Sequence, residues 1–247
     1  MLAPLLVVVL MALTADDFIL VFWIAVVPAF VSFAVILFAV RDPDRRAAQA
    51  VRAPLSRVEL RRLDRSYWTL VAIGAIFALA RFSEAFLLLA LVGVPLALVP
   101  AVMILMNIVF ALSAWPAGAL SDRIGRRGLL YAGLAVLVVA DLILALGSSI
   151  AAIGAGVALW GLHMGLTQGL FAALVADLCP TELRGTAFGM FNLVTGLAVL
   201  MASIVAGALW DRAGPSGTFL AGAVFAALAL GALGLVQRAG RSDSPVR

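Results

Sequence analysis

Gly118-Ala119-Leu120-Ser121-Asp122-Arg123-Ile124-Gly125-Arg126-Arg127 separates two runs that are each apolar enough to cross a bilayer. The gap is too short for anything but a tight turn. Three arginines crowded against a membrane exit mark that side as cytoplasmic. The glycines let two helices approach at the turn, and Asp122 can accept bonds from the arginines or from a helix N-terminus. A positive-inside turn needs arginines in any case, but that need does not dictate the order Asp-Arg-x-Gly-Arg-Arg.

Composition agrees with a membrane protein. Hydrophobic residues make up 65% of the chain and charged residues 12%, and mean hydropathy is +1.17, more than a soluble core of this length requires. All 17 basic residues are arginine. They lie almost entirely in loops and tail, so the high isoelectric point reads as membrane orientation and not as a nucleic-acid surface. A single cysteine, Cys179, excludes an internal disulfide and a cysteine metal cluster. Met1–Leu13 lacks a basic leading region and a small-residue cleavage site, so it does not read as a signal peptide.

Seven apolar stretches approach the ~20 residues that a crossing needs. They are Phe18–Val40, Tyr67–Leu91, Leu96–Ala117, Leu129–Leu146, Ile150–Ala173, Thr186–Leu209 and Thr218–Val236, preceded by a stub, Met1–Leu13, too short to cross. Arginines alternate sharply between linkers: eight in Arg41–Ser66, three in the quoted turn, one in Cys179–Gly185 and three in the tail, against Arg212 alone in the linkers of the other side. This bias places the basic linkers and the C-terminus in the cytoplasm. Four regions result: 1–40, a basic linker 41–66, a six-helix unit 67–236, and a tail 237–247. Val51–Leu63 reads either as an amphipathic helix on the inner leaflet or as a solvated tether. The six-helix unit falls into two triplets, Tyr67–Leu146 and Ile150–Val236. Three is odd, so the second triplet is inverted relative to the first.

The quoted turn resembles the G-x-x-x-D-R-x-G-R-[RK] loop signature of the major facilitator superfamily of secondary transporters. Asp177-Leu178-Cys179-Pro180-Thr181-Glu182-Leu183-Arg184-Gly185 is similar to that family's helix ten-to-eleven loop. The resemblance implies an all-α polytopic bundle in which the turn with Gly118, Asp122, Arg123, Gly125, Arg126 and Arg127 is the gating loop between helices eight and nine. Phe18–Val40 then resembles helix six, and the stub the outer half of helix five. Helices one to four have no counterpart in the chain. In the family the signature closes an inner gate against the cytoplasmic end of helix five, so Asp122, Arg123 and Arg126 are expected to lack that partner here.

Polar groups inside a membrane are costly and mark candidate sites. Arg81, Glu84, Asn107, His163, Thr167 and Asn192 are the candidates for a substrate or proton pathway. Arg81 and Glu84, spaced i,i+3, form either a packing pair or a protonatable carboxylate held by a cation. Asp141, on a helix peripheral in the family, reads as a packing or snorkelling group. Gly161, Gly165 and Gly169 form a small-residue stripe that suits helix packing, with Gln168 on the same side. His163 and Thr167 on the opposite side are expected to face the cavity, where His163 can relay a proton. A lone histidine bonded to a neighbouring helix is the competing reading. Trp160, Phe171 and the other aromatics are expected to pack and not to cage a ligand.

The sequence holds no H-E-x-x-H, G-x-S-x-G or phosphate-loop motif, so an enzyme is not expected, nor a cofactor or metal. Two functions remain. One is a proton-linked secondary transporter of a small organic solute or drug, multi-pass in a bacterial inner membrane. The other is a half-unit or truncated protein that transports only with a missing N-terminal half or a second copy. The bilayer and a small molecule are the implied partners, and nucleic acid is not.

Overall fold

The structure is a computed structural model that describes residues 2–14, 17–39, 57–82, 84–89 and 99–242. Residues 41–56 of the basic linker, with the first part of the expected interfacial helix, lie outside the described residues. So do the loop at 90–98, the end of the tail at 243–247 and the side chain of Asp122. The chain divides into two units, Met1–Ala53 and Pro54–Arg247.

The first unit holds α1 (Leu2–Leu13) and α2 (Phe18–Ala39). α2 begins where the Asp17 carboxylate accepts a bond from the Leu20 N–H at 3.0 Å, which satisfies one of the open donors of a helix start. Its 22 residues rise about 33 Å, enough for a hydrocarbon core about 30 Å thick. Phe22 is 73% exposed and Phe38 82%, an apolar surface suited to lipid. α1, with 12 residues, falls short of a crossing, as its length implied.

The second unit contains α3 (Arg57–Leu60), α4 (Arg65–Leu79), α5 (Ala85–Leu89), α6 (Val99–Leu146), α7 (Ile150–Thr167), α8 (Leu170–Leu178), a 3₁₀ turn at Thr181–Leu183, and α9 (Arg184–Ser242). α4 is capped by Asp64, which accepts from the Ser66 N–H. Bonds from Ser66 and Arg65 hold this exposed carboxyl below the usual carboxylate range. α7 is capped by Ser149, whose hydroxyl oxygen accepts from the Ala152 N–H at 3.1 Å.

Two of the expected turns are shorter than the sequence implied. In α6 only Gly125 leaves the helical region, at φ 78° and ψ 151°. In α9 only Gly214 does, at φ 69° and ψ −169°. Glycine adopts these backbone angles without a Cβ penalty. Helix therefore continues through nearly all of the arginine signature, and its backbone groups stay bonded beyond the apolar span. Pro215 follows Gly214 at the first position of the next arm, where its missing N–H costs nothing.

Contacts define the direction of each segment. Gly161 of α7 lies against the Met106 backbone and Gly165 against Ser113 and the Phe110 carbonyl, so α7 runs parallel to the first arm of α6. Gly156 meets Leu144 and His163 meets Gly133, so α7 runs antiparallel to the second arm. Gly222 meets Asp141 and Gly234 faces Tyr131, which sets the second arm of α9 antiparallel to the second arm of α6. The Tyr67 hydroxyl donates to the Ala187 carbonyl at 2.8 Å and Gly74 faces Phe191, so α4 runs parallel to the first arm of α9. The six segments alternate, and the second three run opposite to the first three.

Among the described residues, five apolar stretches are long enough to cross: Ile19–Ala39, Ala101–Ser121, Arg123–Leu146, Ile150–Leu178 and Thr181–Gly234. The last, at 54 residues, holds two crossings around Gly214. Arg65–Leu79 is a shorter apolar helix. The protein is an all-α polytopic membrane bundle. Its main core joins Phe82, Leu134, Leu137, Trp160 and Phe219, and a second cluster joins Leu63, Tyr67, Val175, Leu183 and Ala187 near the basic end.

A Cβ at Gly161 would collide with the Met106 carbonyl oxygen, whereas at Gly169 it would meet nothing within 4 Å. Gly161→Val should therefore destabilise the bundle by about 1–3 kcal/mol through overpacking against backbone. Gly169→Val should leave stability close to wild type. Thermal unfolding of the two variants in detergent micelles tests the difference; equal loss in both would contradict the α6–α7 seam.

Candidate functional site

Two of the crossing segments are interrupted. Between α4 and α5, residues 80–82 and Glu84 leave the helix, and between α7 and α8, Gln168 and Gly169 form a turn whose backbone angles stay right-handed helical. Inside a membrane, such interruptions are tolerated where they are buried in protein or line a water-filled cavity. Both border one open cavity of about 580 Å³, within the range of small-molecule sites. Gly74, Phe77, Ala78, Arg81, Phe82 and Glu84 supply one wall, Thr167, Gln168 and Phe171 a second. Phe191, Asn192, Thr195, Gly196 and Val199 of α9 form the third.

The structure thus brings together Arg81, Glu84, Thr167 and Asn192 from the sequence candidates. Arg81 Nη2 and Glu84 Oε1 form an ion pair at 3.4 Å, with side chains 25% and 39% exposed. Asn192 and Gln168 are exposed. The Thr167 hydroxyl donates to the His163 carbonyl at 2.8 Å, which leaves its methyl group against Gly133.

His163 and Asn107 do not join this group. The His163 ring is fully buried, and its Nδ1 pairs with the Gly133 carbonyl at 2.8 Å. A carbonyl only accepts, so Nδ1 carries the hydrogen and Nε2 has no partner. Phe77 stacks on the ring at 5.5 Å and stands between it and the cavity. The expectation that His163 faces the cavity is therefore corrected: α7 turns this residue to α6, and the competing reading describes the geometry. Asn107 donates to the Met103 carbonyl in its own helix at 2.8 Å, which satisfies it locally.

Asp141 does not snorkel. Its side chain is fully buried, and neither carboxylate oxygen has a hydrogen-bond partner. The long second arm of α6 carries it into the centre of the unit, between α7 and α9. Trp160 packs in the core, and Phe171 packs on Phe77 and Phe191 at ring distances of 5.0 and 5.6 Å while also lining the cavity. Sequence reading did not single out Phe77, Phe191 or Thr195, because an aromatic or hydroxyl residue in an apolar helix carries no signal of which face it occupies.

At the basic end the two loop motifs meet. Arg126 forms an ion pair with Asp177, a partner within this unit other than the helix-five end that it was expected to lack. Arg123, Arg127, Gly118 and Gly125 are exposed. Pro180 precedes the 3₁₀ turn, Glu182 accepts from the Thr181 hydroxyl at 3.2 Å, and Arg184 reaches the Ala176 carbonyl at 3.5 Å. Gly185 is open to solvent. Glu59 beside α3 accepts from the Thr186 hydroxyl at 2.9 Å, tying the end of the linker to the start of α9. Among the described residues no group of three or more His, Cys, Asp or Glu side chains could hold a metal ion.

The family model of the Major Facilitator Superfamily matches residues 1–203. An uncharacterized MFS-type transporter of Methanocaldococcus jannaschii is 36% identical over 178 residues, which cover 69% of this chain and 44% of that protein. An MFS-type transporter of Metarhizium majus is 30% identical, covering 49% of this chain and 26% of its own length. An uncharacterized MFS-type transporter of Mycobacterium tuberculosis is also 30% identical, covering 53% and 22%. The chain thus spans less than half the length of these relatives. With a polytopic helical bundle, inverted triplets and the signature turn in place, the chain belongs to the major facilitator superfamily.

Proposed function

We propose that this chain forms one wall of the substrate path of a proton-linked secondary transporter for a small organic solute. The observation that carries this reading is the cavity at the two helix interruptions. There a cation and a carboxylate, Arg81 and Glu84, share a space with Thr167, Gln168, Asn192 and Thr195 and with the rings of Phe77, Phe171 and Phe191. Discontinuous helices beside a site near the membrane centre suit transport by rocking of two halves. The aromatic rings offer an apolar platform, and the amides and hydroxyls fix a polar end. Glu84 carries the coupling proton, with Arg81 as its ion-pair partner. The second wall belongs to an N-terminal half, as the longer relatives suggest, or to a second copy. A chain that does not transport alone is the second reading, and its support is the 44% coverage of the archaeal relative.

The basic end faces the cytoplasm in this reading. Arg61, Arg62, Arg65, Arg123, Arg126, Arg127 and Arg184 all belong to segments that begin or end there, as the positive-inside bias requires. The two motif loops, joined by Arg126 and Asp177, then form an inner latch. Reporter fusions after Arg62 and after Arg238 should both report cytoplasm; a periplasmic signal from either contradicts this orientation.

Cavity accessibility provides a direct check. In a Cys179→Ser background, Gln168→Cys and Asn192→Cys should react with a water-soluble thiol reagent in membrane vesicles, and His163→Cys should resist it. Equal reaction at all three positions would contradict a cavity bounded by Phe77.

Transport itself is tested in liposomes with a panel of solutes and an imposed proton gradient. The chain alone should show no saturable uptake, and co-reconstitution with the N-terminal half of a relative should restore it. In the restored assembly Glu84→Gln should abolish uphill uptake while substrate exchange continues. If the pair only fixes packing, single changes lower folded protein, and replacing both with apolar residues restores folding and transport. Gradient-driven uptake by the chain alone would replace the missing half with a homodimer.

A further inference from the structure

Among the described residues Asp141 has no hydrogen-bond partner for either carboxylate oxygen, although it is fully buried in a membrane-spanning arm. A buried polar group without a bond is costly, and an ionised one far more so. Its surroundings explain how it fits but not why it is there. On α9, Gly222 leaves the necessary space: a Cβ at that position would lie 2.7 Å from Asp141 Oδ2 and 2.8 Å from Phe82 Cε1. The carboxyl group and the edge of the Phe82 ring therefore converge on Gly222. Phe82 lies in the non-helical stretch between α4 and α5, and it also lines the polar cavity beside Arg81 and Glu84. The Phe82 ring, packed on Phe86, Trp160 and Phe219, thus borders both the carboxyl's surroundings and the cavity.

The possible occupants are few. A metal ion needs several oxygen or nitrogen ligands, and no cluster of three or more His, Cys, Asp or Glu exists among the described residues. The nearby Thr218 hydroxyl is bonded to the Ala206 and Gly214 carbonyls. Arg81 is paired with Glu84 beyond the Phe82 ring. On α7 the titratable side chain is His163, held at Gly133, eight residues or about 12 Å along α6 from Asp141. On α9, Asp211 and Arg212 are exposed at the Gly214 turn, and the stretch from Thr218 to Phe225 carries no titratable group. The ligand must therefore be one that a single carboxyl group can bind.

We propose that Asp141 is a proton-binding site, opened to the polar cavity by displacement of the Phe82 ring. A hydronium ion in the cavity gives up one O–H bond as a new O–H bond forms on the Asp141 carboxyl, and water is left behind. Release reverses the same exchange. The site stands without any substrate; only its part in a transport cycle rests on the transporter reading.

Infrared spectroscopy of the chain in lipid vesicles tests the site directly, because it requires neither substrate nor transport. Wild type should show the C=O stretch of a protonated, unbonded carboxylic acid, and Asp141→Asn should lack it. Asp141→Glu, which keeps the acid, should retain the band at a shifted position. On transfer to heavy water the band should shift slowly, and Phe82→Leu should accelerate that exchange about tenfold or more while Phe22→Leu, on the exposed face of α2, leaves it unchanged. A wild-type spectrum without such a band at any pH, a band that persists in Asp141→Asn, or exchange indifferent to Phe82 would each overturn the proposal. Failed uptake with these spectral results intact would overturn the transporter reading and leave the proton site standing.

Discussion

Within a bilayer each backbone N–H and C=O has to find its partner inside the protein, and this constraint orders the whole structure. It keeps helix running through the arginine signature until Gly125 and through the 211–217 linker until Gly214. It also makes the exceptions informative. The break at 80–82 and the turn at Gln168–Gly169 lie on different segments, far apart in sequence, yet both border the same cavity. Polar side chains gather there because irregular backbone is tolerated only beside water or within protein.

Helix association supplies the second level. Lipid removes most of the hydrophobic drive between helices, so close backbone approach and dispersion contacts hold the segments together. Gly161 and Gly165 seat α7 directly on the first arm of α6. That seat fixes the rotation of α7, and the rotation fixes everything carried on it. His163 turns to Gly133, Trp160 enters the core, and Gln168 reaches the cavity. A small-residue stripe therefore decides, at one remove, which polar groups line the cavity.

Ion pairing divides the unit between its two ends. At the basic end Arg126 joins Asp177, and the linker's last turn is bonded to α9 through Glu59 and Thr186. These contacts are exposed or half-buried, where single ion pairs contribute about 0–1 kcal/mol. Such pairs can break and re-form at little cost. In the interior, Arg81 and Glu84 are only partly shielded, and Asp141 is wholly enclosed. The gradation from weak surface pairing to an unpartnered buried acid is a consequence of depth in the bundle.

The class of protein, the crossings and the basic side were legible in the amino-acid sequence. Spans of about 20 apolar residues have few alternatives in water, and arginine bias follows from the energetics of insertion. The signature at Gly118–Arg127 and the run Asp177–Gly185 also marked the two loops that meet. Arg81, Glu84, Thr167 and Asn192 were legible as candidates because a polar residue in an apolar run is costly wherever it sits. Which neighbour each one faces was not. A helix in lipid is apolar on every side, so hydrophobic periodicity, which orients a helix in a soluble protein, carries no information about rotation here. Tertiary packing alone turned His163 away from the cavity, brought Phe77, Phe171 and Phe191 to its wall, and enclosed Asp141 behind Gly222 and Phe82.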